Sequence, residues 1–121
     1  GPAMNGFYSG CTINYPYADD PSKNVRDWFQ RYKEKYKEDP TVLSVYGYQI
    51  VTLFGAGAEK AGPNLTPDTL AKGIDSLSFP RDMFGGDEQR FSPTKHLGSN
   101  RAKLCQIQEG RWRCITDYIT D

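Results

Sequence analysis

The chain has 121 residues, and its 15 Lys and Arg balance 15 Asp and Glu to a formal net charge of zero. That length is one domain, or a piece of a larger protein, and the charge balance argues against the clustered basic face that nucleic-acid binding requires. Eight Tyr, six Phe and two Trp are many for this length; they suggest aromatic walls around something polar, or a large half-exposed surface.

No stretch reaches the length of a membrane-spanning helix. The opening Gly-Pro-Ala-Met reads as a protease and cloning scar, with residues 5–121 as the single domain. No secretory signal is visible, and with such a scar its absence says little about compartment. Residues 6–17 read as extended, with Phe7, Tyr8, Cys11, Ile13, Tyr15 and Tyr17 separated by small and polar residues. Pro16, Asp19, Asp20 and Pro21 break that run. Ser22 then caps a helix reaching to about residue 38. Its apolar positions Val25, Trp28, Phe29, Tyr32 and Tyr36 follow three- and four-residue spacing, and its mixed-sign charges from 33 to 39 form a solvated face. Asp39-Pro40 ends it.

Residues 41–77 hold two helices back to back. The first carries Tyr46, Ile50, Leu53 and Phe54 on one side and a run of Gly and Ala that demands a close neighbour. Gly62 is its C-cap, and Pro63 stops it from continuing. The second opens with Thr66 as N-cap, Pro67 in the first helical position and Asp68 in the first turn. Residues 78–80 read as a connector and 83–91 as a turn with a short strand. Residues 95–108 and 111–119 read as two strands joined by a Glu109-Gly110 turn.

A two-residue turn there sets the register. Gln108 faces Arg111, Ile107 faces Trp112, Gln106 faces Arg113 and Cys105 faces Cys114. Counted from the turn, the two cysteines fall in a non-hydrogen-bonded pair, where side chains approach most closely. They share a face with Ile107 and Trp112. Two readings stand: a disulfide, which belongs to an oxidising compartment, or two buried reduced thiols. Cys11 is left over and is expected to be buried. The three cysteines lack metal-ligand spacing and have one His to help, which argues against zinc.

Catalytic motifs are missing. Gly55-Ala-Gly57 has Lys60 where a dinucleotide fingerprint needs its third glycine, and it lies late in a helix. His96, the single histidine, sits in a polar stretch and reads as a surface residue. Asp87-Glu88 beside Gly85-Gly86 reads as a turn. Asn64-Leu65-Thr66 matches a glycosylation sequon, but Thr66 serves as a helix cap and Pro67 follows it. No cofactor motif is present, and nothing argues for an enzyme.

Several pieces taken in order resemble the C-terminal part of type I periplasmic binding proteins, of the branched-chain amino acid or amide receptor kind found with ABC transporters. They are the Gly6-Phe7-Tyr8 segment with Tyr15-Pro16, and the Pro21-led helix with Trp28-Phe29 and Tyr32. Asp39-Pro40, Tyr46-Gly47-Tyr48, Ala61-Gly62 and the helix with Leu70, Ala71 and Ile74 come next. Phe84-Gly85-Gly86, Phe91 and His96 precede Gln106 and Gly110-Arg111-Trp112 in the closing hairpin. The resemblance covers roughly residues 6–116.

It implies an α/β chain with a partial type I periplasmic-binding fold: one strand, three helices, then a C-terminal β-hairpin region. Members have two lobes joined by three crossovers and bind ligand between them, so this chain corresponds to about the last third. The resemblance further implies a solute-binding module for an amino acid, amide or similar small solute. It implies an ABC permease as partner of the intact parent, and a periplasmic or extracytoplasmic location. Carried over by position, Tyr15, Tyr17, Leu43 and Tyr46 are the ligand-binding candidates. A ring can stack on an apolar or cationic group, and a phenol can hydrogen-bond a polar one. For Tyr46, cleft and core readings both stand, and Tyr48 reads as core. Asp19 and Asp20 read as a turn before the helix, with a ligand amine as the other reading. The Gly/Ala surface of the Tyr46 helix would pack on the sheet of a lobe. The alternative function is a non-catalytic structural or self-association fragment with no surviving ligand site, able to form a homo-oligomer through exposed edges.

Overall fold

The computed structural model describes residues 2–120, so Asp121 and Gly1, the first of the four residues that the sequence reads as a scar, lie outside the described residues. After a 3-10 turn at Pro2–Met4, the chain runs β1 (Tyr8–Cys11), α1 (Lys23–Tyr36), α2 (Val42–Ala61), α3 (Pro67–Asp75), β2 (Ser78–Phe79), β3 (Gln89–Arg90), β4 (Lys103–Gln108) and β5 (Arg111–Cys114). Two antiparallel sheets form, one in the order β1-β4-β5 and one pairing β2 with β3.

α1 forms where the apolar stripe predicted it. Val25, Trp28 and Phe29 are buried, and removing side chains of this size from water stabilises by about 1.5–3 kcal/mol each. Ser22 is the N-cap residue, but its side chain makes no cap bond; its backbone N–H donates to Asp20 Oδ1 at 2.8 Å. Lys37 ends the helix in a left-handed conformation, φ 61°. In the core, Trp28 meets Phe84 edge-on with ring centroids 4.9 Å apart, and Ile13, Val25 and Val45 surround them. Ile13 arrives as the chain leaves the sheet, so only Tyr8–Cys11 of the expected extended run 6–17 is strand.

α2 begins after Thr41, whose N–H donates to Ser44 Oγ at 3.1 Å, and ends at Gly62, φ 81°. α3 starts at the expected cap: Thr69 N–H donates to Thr66 Oγ1, and Thr66 N–H donates to Thr69 Oγ1. The small residues bring these two helices together. A Cβ on Gly73 would stand 2.6 Å from the Gly57 carbonyl oxygen, and one on Gly57 would stand 2.6 Å from Ile74 Cγ1. The close neighbour of the Gly/Ala surface within this chain is therefore α3. Toward the start of α2 the same side of the helix is uncovered, with Leu43, Ile50, Val51 and Phe54 all exposed. Tyr48 is exposed too, which corrects its reading as core; its ring still meets Trp28 and Phe84 edge-on.

The hairpin has the expected register. Glu109 and Gly110 both take positive φ, 53° and 76°, as a two-residue primed turn requires. Cys105 and Cys114 are joined across it, with Cα atoms 3.9 Å apart. Cys11 is half-buried rather than buried. Both hairpin strands are shorter than the expected 95–108 and 111–119. Before Lys103, the chain wraps under β3: Arg90 N–H donates to the Gly98 carbonyl at 2.9 Å, and a Cβ on Gly98 would collide with Gln89 and Phe91. After Cys114, the Thr116 hydroxyl takes the Leu104 N–H at 2.9 Å in place of a backbone carbonyl. An isolated bridge between Ala102 and Ile119 closes the end. The connector 78–80 is partly strand, since Ser78 and Phe79 pair with Arg90 and Gln89.

Candidate functional site

Tyr46, Gln49, Ile50 and Leu53 recur at helical spacing along α2 and wall a cavity of about 300 Å³. Phe79, Pro80 and Asp82 line it from the β2 side, and Gly86, Asp87, Gln89, Ser99 and Arg101 from the segments around β3. Thr12 and Tyr118 complete the wall. A hydroxyl cluster joins three of these elements. Thr12 Oγ1 lies 2.9 Å from the Tyr46 hydroxyl. The Tyr118 hydroxyl lies 2.6 Å from the Thr12 carbonyl and 2.7 Å from the Gly85 carbonyl, so it shares one proton between two acceptors.

Two carboxylates shape the polar side. Asp82 accepts the Phe84 and Gly86 N–H groups at 2.9 Å each, and Gln49 Nε2 as well, which holds the 82–86 turn against α2. Asp87 is buried and accepts Ser99 Oγ at 2.5 Å, Arg101 Nε at 2.8 Å and a second guanidinium nitrogen of Arg101. Burial pushes the Asp87 carboxyl upward, but the hydrogen bonds from Arg101 and Ser99 outweigh it and hold the group below the usual carboxylate range. Around Tyr118, Lys103, Arg81 and Arg101 stand 4.8, 5.1 and 5.5 Å from the ring centre. Burial, aided by the charges of Asp87 and Asp82, pushes the Tyr118 phenol up to about 12. It is therefore a neutral donor at physiological pH. No histidine or cysteine lines the cavity among the described residues. Its groups offer shape, hydroxyls and fixed charge: equipment for holding a molecule.

The four candidates from the sequence do not converge. Tyr46 is on the cavity wall and also packs against the core. Tyr15 and Tyr17 stack on each other at 4.8 Å and do not line the cavity. The Tyr17 hydroxyl accepts the Trp112 N–H at 2.7 Å, and the Arg111 guanidinium lies 4.1 Å from its ring centre. Leu43 is 73% exposed near the start of α2. Asp19 is paired bidentately with Arg111, whose hydrogen bond lowers its carboxyl to about 2. Asp20 accepts the Ser22 N–H, as a turn before a helix does.

Thr12, Gln49, Asp82, Asp87, Arg101 and Tyr118 were missed. The sequence places Asp87 in a turn and Tyr118 in a strand. The available signal was Asp82 ahead of Gly85-Gly86, because backbone N–H groups at a glycine turn attract a carboxylate; Asp87 is held instead by Ser99 and Arg101.

The cavity is walled by one long helix on a partial α/β frame, and its lining is mostly apolar with a few fixed polar groups. Residues 1–111 match the family model of the periplasmic binding proteins, and the chain belongs to that family. Among solved structures, the chain is similar to a fatty acid ABC transporter substrate-binding protein from Thermomonospora curvata, with TM-score 0.74 and 22% identity over 98% of this chain and 31% of that one. It is also similar to a branched-chain amino acid ABC transporter protein from Thermus thermophilus with bound valine, with TM-score 0.71 and 18% identity over 100% and 35%. A solute-binding protein from R. palustris in complex with benzoate gives TM-score 0.69 and 19% identity over 100% and 33%. The chain thus spans about a third of the length of these structures. No curated protein sequence matches.

Proposed function

We propose that this chain is the C-terminal third of a two-lobed, non-enzymatic solute-binding protein, and that its cavity forms one wall of the ligand cleft. The parent would serve ABC import of an amino acid, amide or similar small solute, outside the cytoplasm and with a permease as partner. The observation that carries the reading is the Tyr46–Thr12–Tyr118 hydroxyl cluster at a cavity between α2 and the 79–101 segment, in a chain of the periplasmic binding family. Tyr46 presents a ring and a hydroxyl to that space, while the Asp82 and Asp87 networks hold the opposing wall rigid. The solutes named for the similar structures are valine, leucine, benzoate and a fatty acid. All four carry a carboxylate, so small carboxylates come first in any ligand panel. In the parent, contacts made only when the lobes close would shift the hinge equilibrium toward the closed state. Residues 5–121 then act as one domain, and Tyr15, Tyr17 and Leu43 would contribute only through surfaces completed by the rest of the parent.

A second reading is self-association. It is favoured by the exposed Leu43, Val51 and Phe54 on α2 and by the open edges of β1 and β5. A thermal-shift panel of amino acids, amides and aromatic acids separates the two, because a ligand that binds only the folded state raises the melting temperature. A rise that Tyr46→Ala abolishes supports the cavity. No rise with any compound, together with a dimer by light scattering, would sink it in favour of self-association.

A further inference from the structure

The three cysteines, 11, 105 and 114, are far apart in sequence, but the sheet order β1-β4-β5 gathers them. Ser9 pairs with Cys105, Cys11 pairs with Lys103, and Cys105 pairs with Cys114. All three side chains therefore lie on one face of the sheet, the face on which Cys105 and Ile107 are buried. Their sulfur atoms all lie within 4.8 Å of one another. A cation with metal–sulfur bonds of about 2.3 Å holds its thiolates roughly 3.8–4.0 Å apart. The cluster needs little movement to reach that spacing once the Cys105–Cys114 bond is open. Each sulfur comes from a different strand of one hydrogen-bonded sheet, so the set is held by backbone pairing rather than by flexible loops. Lys103 is buried directly across from Cys11, and its ammonium offsets part of the negative charge that three thiolates bring into the site.

We propose that the reduced chain binds one thiophilic d10 cation, of the Cu(I), Zn(II) and Cd(II) class, through Cys11, Cys105 and Cys114, and that the Cys105–Cys114 disulfide excludes it. Soft thiolate ligands select this class of metal, and three protein ligands leave one position open to water or an added thiol. The redox step balances with a phosphine reductant. The phosphine takes up one oxygen from water and becomes its oxide, and the disulfide gains two electrons and two protons to give two thiols. Metal binding then displaces the three thiol protons. Sequence spacing hid this site because no two ligands are closer than nine positions. It is independent of the solute-binding reading, since none of the three cysteines lines the cavity.

The test uses the full 121-residue chain, reduced with a phosphine under anaerobic conditions and titrated with Cd(II) alone. Thiolate-to-cadmium charge-transfer absorption should rise and saturate at one metal per chain. The oxidised chain should give no band. Cys11→Ser, which keeps the hairpin cysteines, should weaken binding at least tenfold, and Cys11→Ala should behave likewise. Unfolding midpoints of the oxidised variants serve as the check that the sheet is intact. The proposal is overturned by the absence of a band in the reduced chain or by saturation at one metal per two chains. Unchanged affinity in folded Cys11→Ser would overturn it equally.

Discussion

Adding one methyl group to α2 or α3 should change stability in opposite directions depending on the glycine chosen. Gly55 and Gly73 both lie inside helices, and Ala at such positions is favoured over Gly by about 1 kcal/mol on propensity alone. A Cβ on Gly55 meets nothing within 4 Å, so Gly55→Ala should stabilise by about that amount. On Gly73 the same atom would stand 2.6 Å from the Gly57 carbonyl oxygen and 3.2 Å from the Ala61 nitrogen. Both are backbone atoms of α2, which cannot rotate away as a side chain can. Overpacking costs about 1–3 kcal/mol, and a backbone obstacle lies at or beyond the upper end of that range. Gly73→Ala should therefore destabilise by about 2 kcal/mol net. For a chain of this length, 1 kcal/mol corresponds to roughly 4 °C in melting temperature. Gly73→Ala should melt about 8 °C lower than the parent chain and Gly55→Ala about 4 °C higher, read by circular dichroism. Gly57→Ala should fall between them, because its obstacles, Ile74 and Leu70, are side chains. Equal shifts for Gly55→Ala and Gly73→Ala would refute the packing of α2 against α3.

Three further outcomes follow from the site and the hairpin. The Cys105–Cys114 bond closes a loop of sequence separation 9, so a reductant should lower stability by about 2.5 kcal/mol; thiol titration of the unfolded chain should rise from one reactive group to three, and three groups without reductant would contradict the bond. Asp87 is held below the usual carboxylate range, so its contribution is present above the unfolded pKa of about 3.9 and is lost as pH falls through the lower folded value; urea unfolding from pH 7 to pH 2 should show an acid loss that Asp87→Asn reduces. Tyr118 is pushed up to about 12, so its contribution is full below its unfolded pKa of about 10 and disappears as pH rises toward 12; Tyr118→Phe should flatten that alkaline loss, and an unchanged slope would contradict the neutral-donor role.

The helices were legible in the sequence because each carries its own local signal. Val25, Trp28 and Phe29 mark one face of α1 by spacing alone, and Thr66-Pro67 marks the start of α3. The hairpin was legible because Glu109-Gly110 fixes a register by counting. The cavity was not, because its partners are remote in sequence and polar in character. Asp87 and Arg101 are 14 positions apart, and Thr12 and Tyr46 are 34 apart; periodicity carries no information about such pairs. Family position carried over Tyr46, which lies on the cavity wall. It carried over Tyr17 as well, whose hydroxyl and ring face are occupied within this chain by Trp112 and Arg111. The strand ends were overrun for a related reason. Thr116 and Gly98 redirect the backbone through tertiary contacts that an apolar–polar pattern does not encode.

The central claim is that the cavity walled by α2 takes a small solute. Amide chemical-shift mapping of the isotopically labelled 121-residue chain with L-valine, and separately with benzoate, tests it residue by residue. The account predicts saturable shifts at Thr12, Tyr46, Gln49, Asp82 and Arg101, with little change at Val51 and Phe54 on the exposed face of α2. Shifts confined to that exposed face, or none with either compound at millimolar concentration, would contradict it.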